Sequence, residues 1–100
     1  VNTDQVPVLE TKLATNHPNP FNPHTTIGFS LKKDSHVNIG IFNLRGQKVR
    51  TLVDREYKAG QHTTVWNGKD DNSRDVTSGI YFYKMRTGKY TSTKKMILLK

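Results

Sequence analysis

Two stretches decide the fold: Thr25-Thr26-Ile27-Gly28-Phe29-Ser30-Leu31 and Val37-Asn38-Ile39-Gly40-Ile41-Phe42-Asn43. In each, every second residue is apolar: Ile27, Phe29 and Leu31 in the first, Val37, Ile39 and Ile41 in the second. A period of two places those side chains on one face of an extended strand. No window repeats apolar residues at helical spacing over three turns. Composition agrees, since Val, Ile and Thr total 25 residues and Ala occurs only at Ala14 and Ala59. β-Branched side chains fit a pleated surface and lose rotamer freedom in a helix.

Outward from these strands the same grammar continues. Lys32-Lys33-Asp34-Ser35 is a polar turn, and Asn43-Leu44-Arg45-Gly46-Gln47 is a tight turn with Gly46 at positive φ. That turn makes a hairpin of Val37–Asn43 with Lys48–Val53, Val49 and either Leu52 or Val53 facing inward. Ala59-Gly60-Gln61 turns into His62–Trp66. Asn67–Ser78 is a long polar loop. Ile80–Arg86 is expected to be buried on both faces, Ile80 and Phe82 on one, Tyr81, Tyr83 and Met85 on the other. Thr87-Gly88-Lys89 turns into the last strand, Tyr90–Leu99. A first short extended piece is expected at Val6–Leu9, within a polar linker over residues 1–16. His17-Pro18-Asn19-Pro20-Phe21-Asn22-Pro23 cannot be helix and lacks ladder donors. It is expected to cap one sheet edge stiffly, with Phe21 docked. Short strands separated by regular turn signals predict an all-β, immunoglobulin-like antiparallel β-sandwich of about seven strands over residues 17–100.

One hundred residues make one domain with a thin core. With no cysteine, disulfides, thiolate nucleophiles and cysteine zinc sites are excluded. No apolar run reaches the ~20 residues of a membrane span. His17, His24, His36 and His62 fall in separate segments without metal-ligand spacing. No nucleophile elbow or phosphate loop occurs, so no catalytic residue and no cofactor site are assigned. Asp70, Asn72 and Asp75 offer oxygens at spacings near those of calcium loops, but the sixth-position Gly and twelfth-position Glu are missing. A loop turned by Asx side chains is the better reading, and no metal site is expected. Trp66 with Tyr57, Tyr81, Tyr83 and Tyr90 could form a sugar-stacking platform, although a lone Trp in a thin core is favoured as core. A carbohydrate-binding or cell-attachment module therefore stands as the alternative function.

Net charge is +8, and from Lys84 to Lys100 six basic residues occur with no acidic one. Such a tail suits an anionic partner or serves to guard a sheet edge. Nucleic acid is not expected, because no recognised nucleic-acid motif accompanies the charge. The apolar run Met96-Ile97-Leu98-Leu99 just before Lys100 should be packed as a strand or held by a partner.

In order, four phrases resemble one family. His17–Pro23 followed by Thr25-Thr26-Ile27 is similar to the opening of type IX secretion C-terminal sorting domains. Val37–Val49 resembles the family's strand-and-turn segment ending in Gly-Gln-x-Val. Ala59-Gly60, Val65–Asp70 and Ser78–Tyr83 resemble its Trp-x-Gly to Ser-Gly-Val-Tyr-Phe-Tyr stretch, which is also similar to an immunoglobulin-like domain of flagellar hook-capping proteins. Thr93–Lys100 resembles its closing Thr-Lys-Lys-Met-x-Leu-Leu-Lys. Departures are His17 for Tyr, Asn67 for Asp, Ser73 for the turn Gly and Asp75 for Pro.

The resemblance implies a non-catalytic module carrying cargo through the periplasm to the surface or medium. Its partners would be an outer-membrane translocon and a surface sortase, with cargo joined to anionic lipopolysaccharide. The domain itself is expected to be monomeric. Recognition would fall on Gly46, Gln47, Gly79 and Tyr81 and on Lys94, Lys95, Met96, Ile97, Leu98, Leu99 and Lys100. The glycine segments are equally explained as turns.

Overall fold

The computed structural model describes residues 10–100; the extended piece expected at Val6–Leu9 lies outside them. Seven strands follow in order: β1 (Lys12–Leu13), β2 (Thr25–Leu31), β3 (Ser35–Phe42), β4 (Lys48–Tyr57), β5 (Gly60–Trp66), β6 (Gly79–Thr87) and β7 (Tyr90–Leu98). They form two antiparallel sheets, β1-β2-β5 and β4-β3-β6-β7, packed as the expected sandwich.

Alternation in the sequence becomes the core. Ile27, Phe29 and Leu31 of β2 meet Val37, Ile39 and Ile41 of β3, with Tyr81, Tyr83 and Met85 of β6 and Met96 and Leu98 of β7. All are buried. Trp66 closes one end, completely buried, with its indole N–H donating to the Lys69 carbonyl at 2.9 Å. A buried indole needs such a partner, because an unpaired N–H costs about 1–3 kcal/mol.

β6 departs from expectation. Its Tyr81, Tyr83 and Met85 face the core, but Ile80 is 37% exposed and Phe82 half-buried. A second sheet covers only one face of β4-β3-β6-β7, so the outer face stays open to water. β4 contains two register shifts against β3, between Ile39 and Gly40 and between Ile41 and Phe42. They leave Leu52 and Val49 as extra residues opposite no partner, so the core position falls on Val53. Such bulges reset the strand's parity.

Part of the segment read as linker is packed. Leu13 is 1% exposed and Asn16 5%, while β1 pairs Lys12 with Ser30 and Leu13 with Phe29. The Tyr83 hydroxyl donates to the Ala14 carbonyl at 2.8 Å, and the Leu13 amide donates to the Tyr90 hydroxyl. Both bonds tie β1 across to the larger sheet.

Candidate functional site

The proline-rich segment ends up where its chemistry allows, on a sheet edge. Phe21 forms a parallel bridge to Leu98, donating from its amide to the Ile97 carbonyl at 3.0 Å and accepting from the Leu99 amide at 2.9 Å. The Asn19 side-chain oxygen accepts from the Ile97 amide at 3.0 Å. The Phe21 ring, 2% exposed, packs on Trp66 with centroids 5.7 Å apart, and Trp66 meets Tyr81 edge-on at 5.3 Å. The segment is thus a strap over the last turn of the β7 edge.

The strap also reveals the rest of that edge. Both backbone groups of Ile97 point away from β6, so by strand alternation those of Thr91, Thr93 and Lys95 do too. Among the described residues nothing bonds these three N–H and C=O pairs. Their side chains are exposed, whereas Met96 and Leu98 point into the core.

The residues expected to carry recognition separate into three groups. Tyr81, Met96 and Leu98 are core side chains at 6%, 0% and 0% exposure. Lys94 is half-buried opposite Tyr83, and Ile97 half-buried opposite Ile80. Gly79 is half-buried as well, and the exposed set is Gly46, Gln47, Lys95, Leu99 and Lys100. These gather at one end of the larger sheet. A depression of about 330 Å³ joins Gln47 and Leu44 of the β3–β4 turn to Gly79 and Ile80 of β6. The turn is fixed by Asn43, whose side-chain oxygen accepts from the Arg45 and Gln47 amides at 2.9 and 3.0 Å, with Gly46 at φ 82°. The Lys100 amide donates to the Ser78 hydroxyl at 2.9 Å, which holds the C-terminal end of β7 against the same loop.

Across the outer face, Lys48, Phe42, Phe82 and Lys95 stand in register on four strands. Gly40 makes room here, since a Cβ would lie 3.1 Å from the Phe42 ring and 3.6 Å from Lys48 Cε. Sequence reading missed this row, because it expected Phe82 on a buried face and nothing in the spacing shows that the two strands are neighbours. It also missed Leu44, 68% exposed at the turn tip, and Asn19. An aliphatic residue in a tight turn was a usable signal for the first, whereas nothing local marked the second.

The Asn67–Ser78 loop uses its acids to hold itself. Asp70 accepts from the Asn72 and Arg74 amides at 2.9 and 3.0 Å, and Asp71 from the Thr51 amide at 3.0 Å. Asp75 pairs with Lys69 at 2.8 Å and lies 3.9 Å from Lys100. The Lys69 hydrogen bond, with both lysine charges, holds the Asp75 carboxyl below the usual range. Among the described residues no group of three or more His, Cys, Asp or Glu side chains could hold a metal ion. On the outer face His36 bridges Asp54 (2.6 Å) and Glu56 (2.9 Å), a triplet assembled by the β3–β4 register. No helix in the described residues is long and apolar enough to cross a membrane.

Solved structures with this fold include dimeric latent PorU from Porphyromonas gingivalis, at TM-score 0.74 and 16% identity over 97% of this chain. PorZ, a surface component of the type-IX secretion system of the same organism, superposes at TM-score 0.60 and 17% identity over 86%. The alkylpurine DNA glycosylase AlkC of Pseudomonas fluorescens, bound to DNA with an abasic-site analog, does so at 0.57 and 16% over 91%. The chain spans 10%, 11% and 31% of those proteins, and at such identities the likeness is one of fold. Comparison with curated protein sequences gives no match. Residues 16–99, however, match the family described as the secretion system C-terminal sorting domain, which marks proteins exported by the type IX system to the cell surface or the extracellular space. The chain therefore belongs to the type IX secretion C-terminal sorting domains, the modules that direct a cargo protein across the outer membrane.

Proposed function

We propose that the domain carries no chemistry of its own and is read by an outer-membrane translocon through the free edge of β7. A surface sortase then acts on the exported protein, and cargo passes to anionic lipopolysaccharide. The observation that carries the edge reading is the run of unpaired backbone groups at Thr91, Thr93 and Lys95 beside the exposed Lys95 side chain. A partner strand added there gains backbone hydrogen bonds for affinity, while lysine fixes its direction. The exposed Gly46, Gln47, Leu99 and Lys100, with the half-buried Gly79, lie at the same end of the larger sheet and form the rest of the recognised surface. Burial of Leu13 supports separation of cargo from domain ahead of Lys12 rather than at His17.

The alternative, a sugar platform, loses its main residues: Trp66, Tyr81 and Tyr83 are all buried.

Thr93→Pro tests the edge. Its amide faces outward, so proline removes a donor that the β6–β7 ladder does not use. Fused behind a signal peptide and fluorescent reporter, the folded variant is expected to stay periplasmic while the parent domain reaches the surface or medium. Normal export of a folded Thr93→Pro domain would sink strand addition at β7.

A further inference from the structure

Among the described residues exposed large apolar side chains are few, and their placement is uneven. Of the four, Leu44 (68%), Leu99 (53%) and Ile80 (37%) all lie at one end of the β4-β3-β6-β7 sheet. Leu44 tips the β3–β4 turn, Ile80 begins β6 beside it, and Leu99 follows the end of β7, where Gly79 faces Leu98. Exposed cations surround them: Arg45 next to Leu44, and Lys48 and Lys95 at the two edges of the Phe42–Phe82 row. The acids nearest this end are already engaged, Asp75 by Lys69 and Lys100, Asp70 and Asp71 by backbone amides along β4 and their own loop. The other acids on this face, Asp54 and Glu56, sit with His36 toward the far end of the sheet.

From this we infer that the end face of the larger sheet is a peripheral docking surface for an anionic lipid leaflet, a property separate from strand recognition at β7. The apolar tip and the cations suit the two layers such a surface offers. Aliphatic side chains enter the headgroup–acyl boundary, and lysine and arginine stems lie along it with their charges on the phosphates. Leu44 is suited to insertion because Asn43 fixes the turn by two backbone bonds, so little ordering entropy is lost on contact. An acidic protein surface would satisfy the cations equally but supplies no apolar layer for a lone leucine at a turn tip. Charge complementarity with apolar insertion therefore favours lipid.

The test uses the 100-residue chain and sedimentation with vesicles of 30% phosphatidylglycerol in phosphatidylcholine, against phosphatidylcholine alone. Binding is expected only to the anionic vesicles and is expected to fall as salt is raised. Each cation near such a surface contributes about 1 kcal/mol, so Lys48→Glu with Lys95→Glu should weaken binding at least tenfold. Leu44→Ser should weaken it several-fold with the charge unchanged. All three sites are exposed, and near-parental thermal unfolding verifies the fold. No binding to anionic vesicles would overturn the inference. So would equal binding by parent and variants, because neither the apolar tip nor these cations would then make the contact. If vesicles fail to bind and the same variants lose surface export, the face serves the translocon alone and the lipid assignment is wrong.

Discussion

The Tyr81 hydroxyl donates to the Thr77 carbonyl at 2.7 Å, reaching four residues back along the chain from the third residue of β6. The bond ties the end of the Asn67–Ser78 loop to the strand it feeds, and the ring lies edge-on to Trp66. The arrangement resembles the tyrosine corner of immunoglobulin-type sandwiches. It gives Tyr81 a structural role independent of any recognition. Tyr81→Phe keeps the packing and loses one hydrogen bond, at a cost of about 0.5–1.5 kcal/mol. Tyr81→Ala also opens a cavity and should cost roughly 3–5 kcal/mol. Urea unfolding followed by Trp66 fluorescence measures both, and equal losses in the two variants would refute the division.

Ser73 has φ 62°, the only non-glycine described residue at positive φ. The loop keeps its course because Asp70 accepts the amides on both sides, from Asn72 and Arg74. The left-handed conformation costs a side-chain-bearing residue roughly 1–2 kcal/mol, partly offset by the greater entropy that glycine loses on folding. Ser73→Gly is therefore expected to stabilise the domain by about 0.5–1 kcal/mol. A lower urea midpoint in the variant would contradict this.

Ile80-Tyr81-Phe82-Tyr83 of β6 is apolar at every position and hid its open face, whereas β2 and β3 were legible because each keeps a strict period of two against one covering sheet. β4 was not. Its two bulges change parity within ten residues, so the choice between Leu52 and Val53 could not be read from spacing, although Val49 packs against the core as expected. β1 was hidden for another reason: a two-residue strand has no period, and Leu13 is held by partners 16 and 77 residues away. The recognition segment was legible as a strand with an apolar end. What sequence could not resolve was which side chains alternate inward, since Met96-Ile97-Leu98-Leu99 is apolar at every position.

His36 gives the domain a pH dependence with a definite sign. The Asp54 hydrogen bond, followed by that of Glu56, raises its pKa above the ordinary imidazole value. The native state thus holds the proton more tightly than the unfolded chain. This contribution is fully present below about pH 6.5 and is lost as pH rises through the raised folded value. His36→Gln should therefore lower stability more at pH 5.5 than at pH 8.5, and the His36 ring resonances should titrate above those of an unfolded-state peptide. An equal effect of the substitution at both pH values would show that the triplet contributes nothing through charge.

Removing Lys94–Lys100 is the obvious probe of the recognition segment, and the packing shows why it is a poor one. Met96 and Leu98 are completely buried, Ile97 and Leu99 hold Phe21, and Lys100 is bonded to Ser78. Loss of two buried side chains at roughly 2–5 kcal/mol each, together with the strap, exceeds much of the 5–15 kcal/mol that holds a small domain folded. The truncated chain should show no cooperative unfolding transition, and its failure to export would report only that. Lys95→Glu isolates the surface instead. Its side chain is exposed and has no ion-pair partner among the described residues, so stability should stay within about 0.5 kcal/mol of the parent. Export should nevertheless fall if the charge beside the β7 edge orients the partner. Normal export by a stable Lys95→Glu domain, with loss in Thr93→Pro, would assign recognition to the backbone edge alone. Normal export by both would remove β7 from the recognised surface and leave the turn around Gly46 and Gln47 to be tested next.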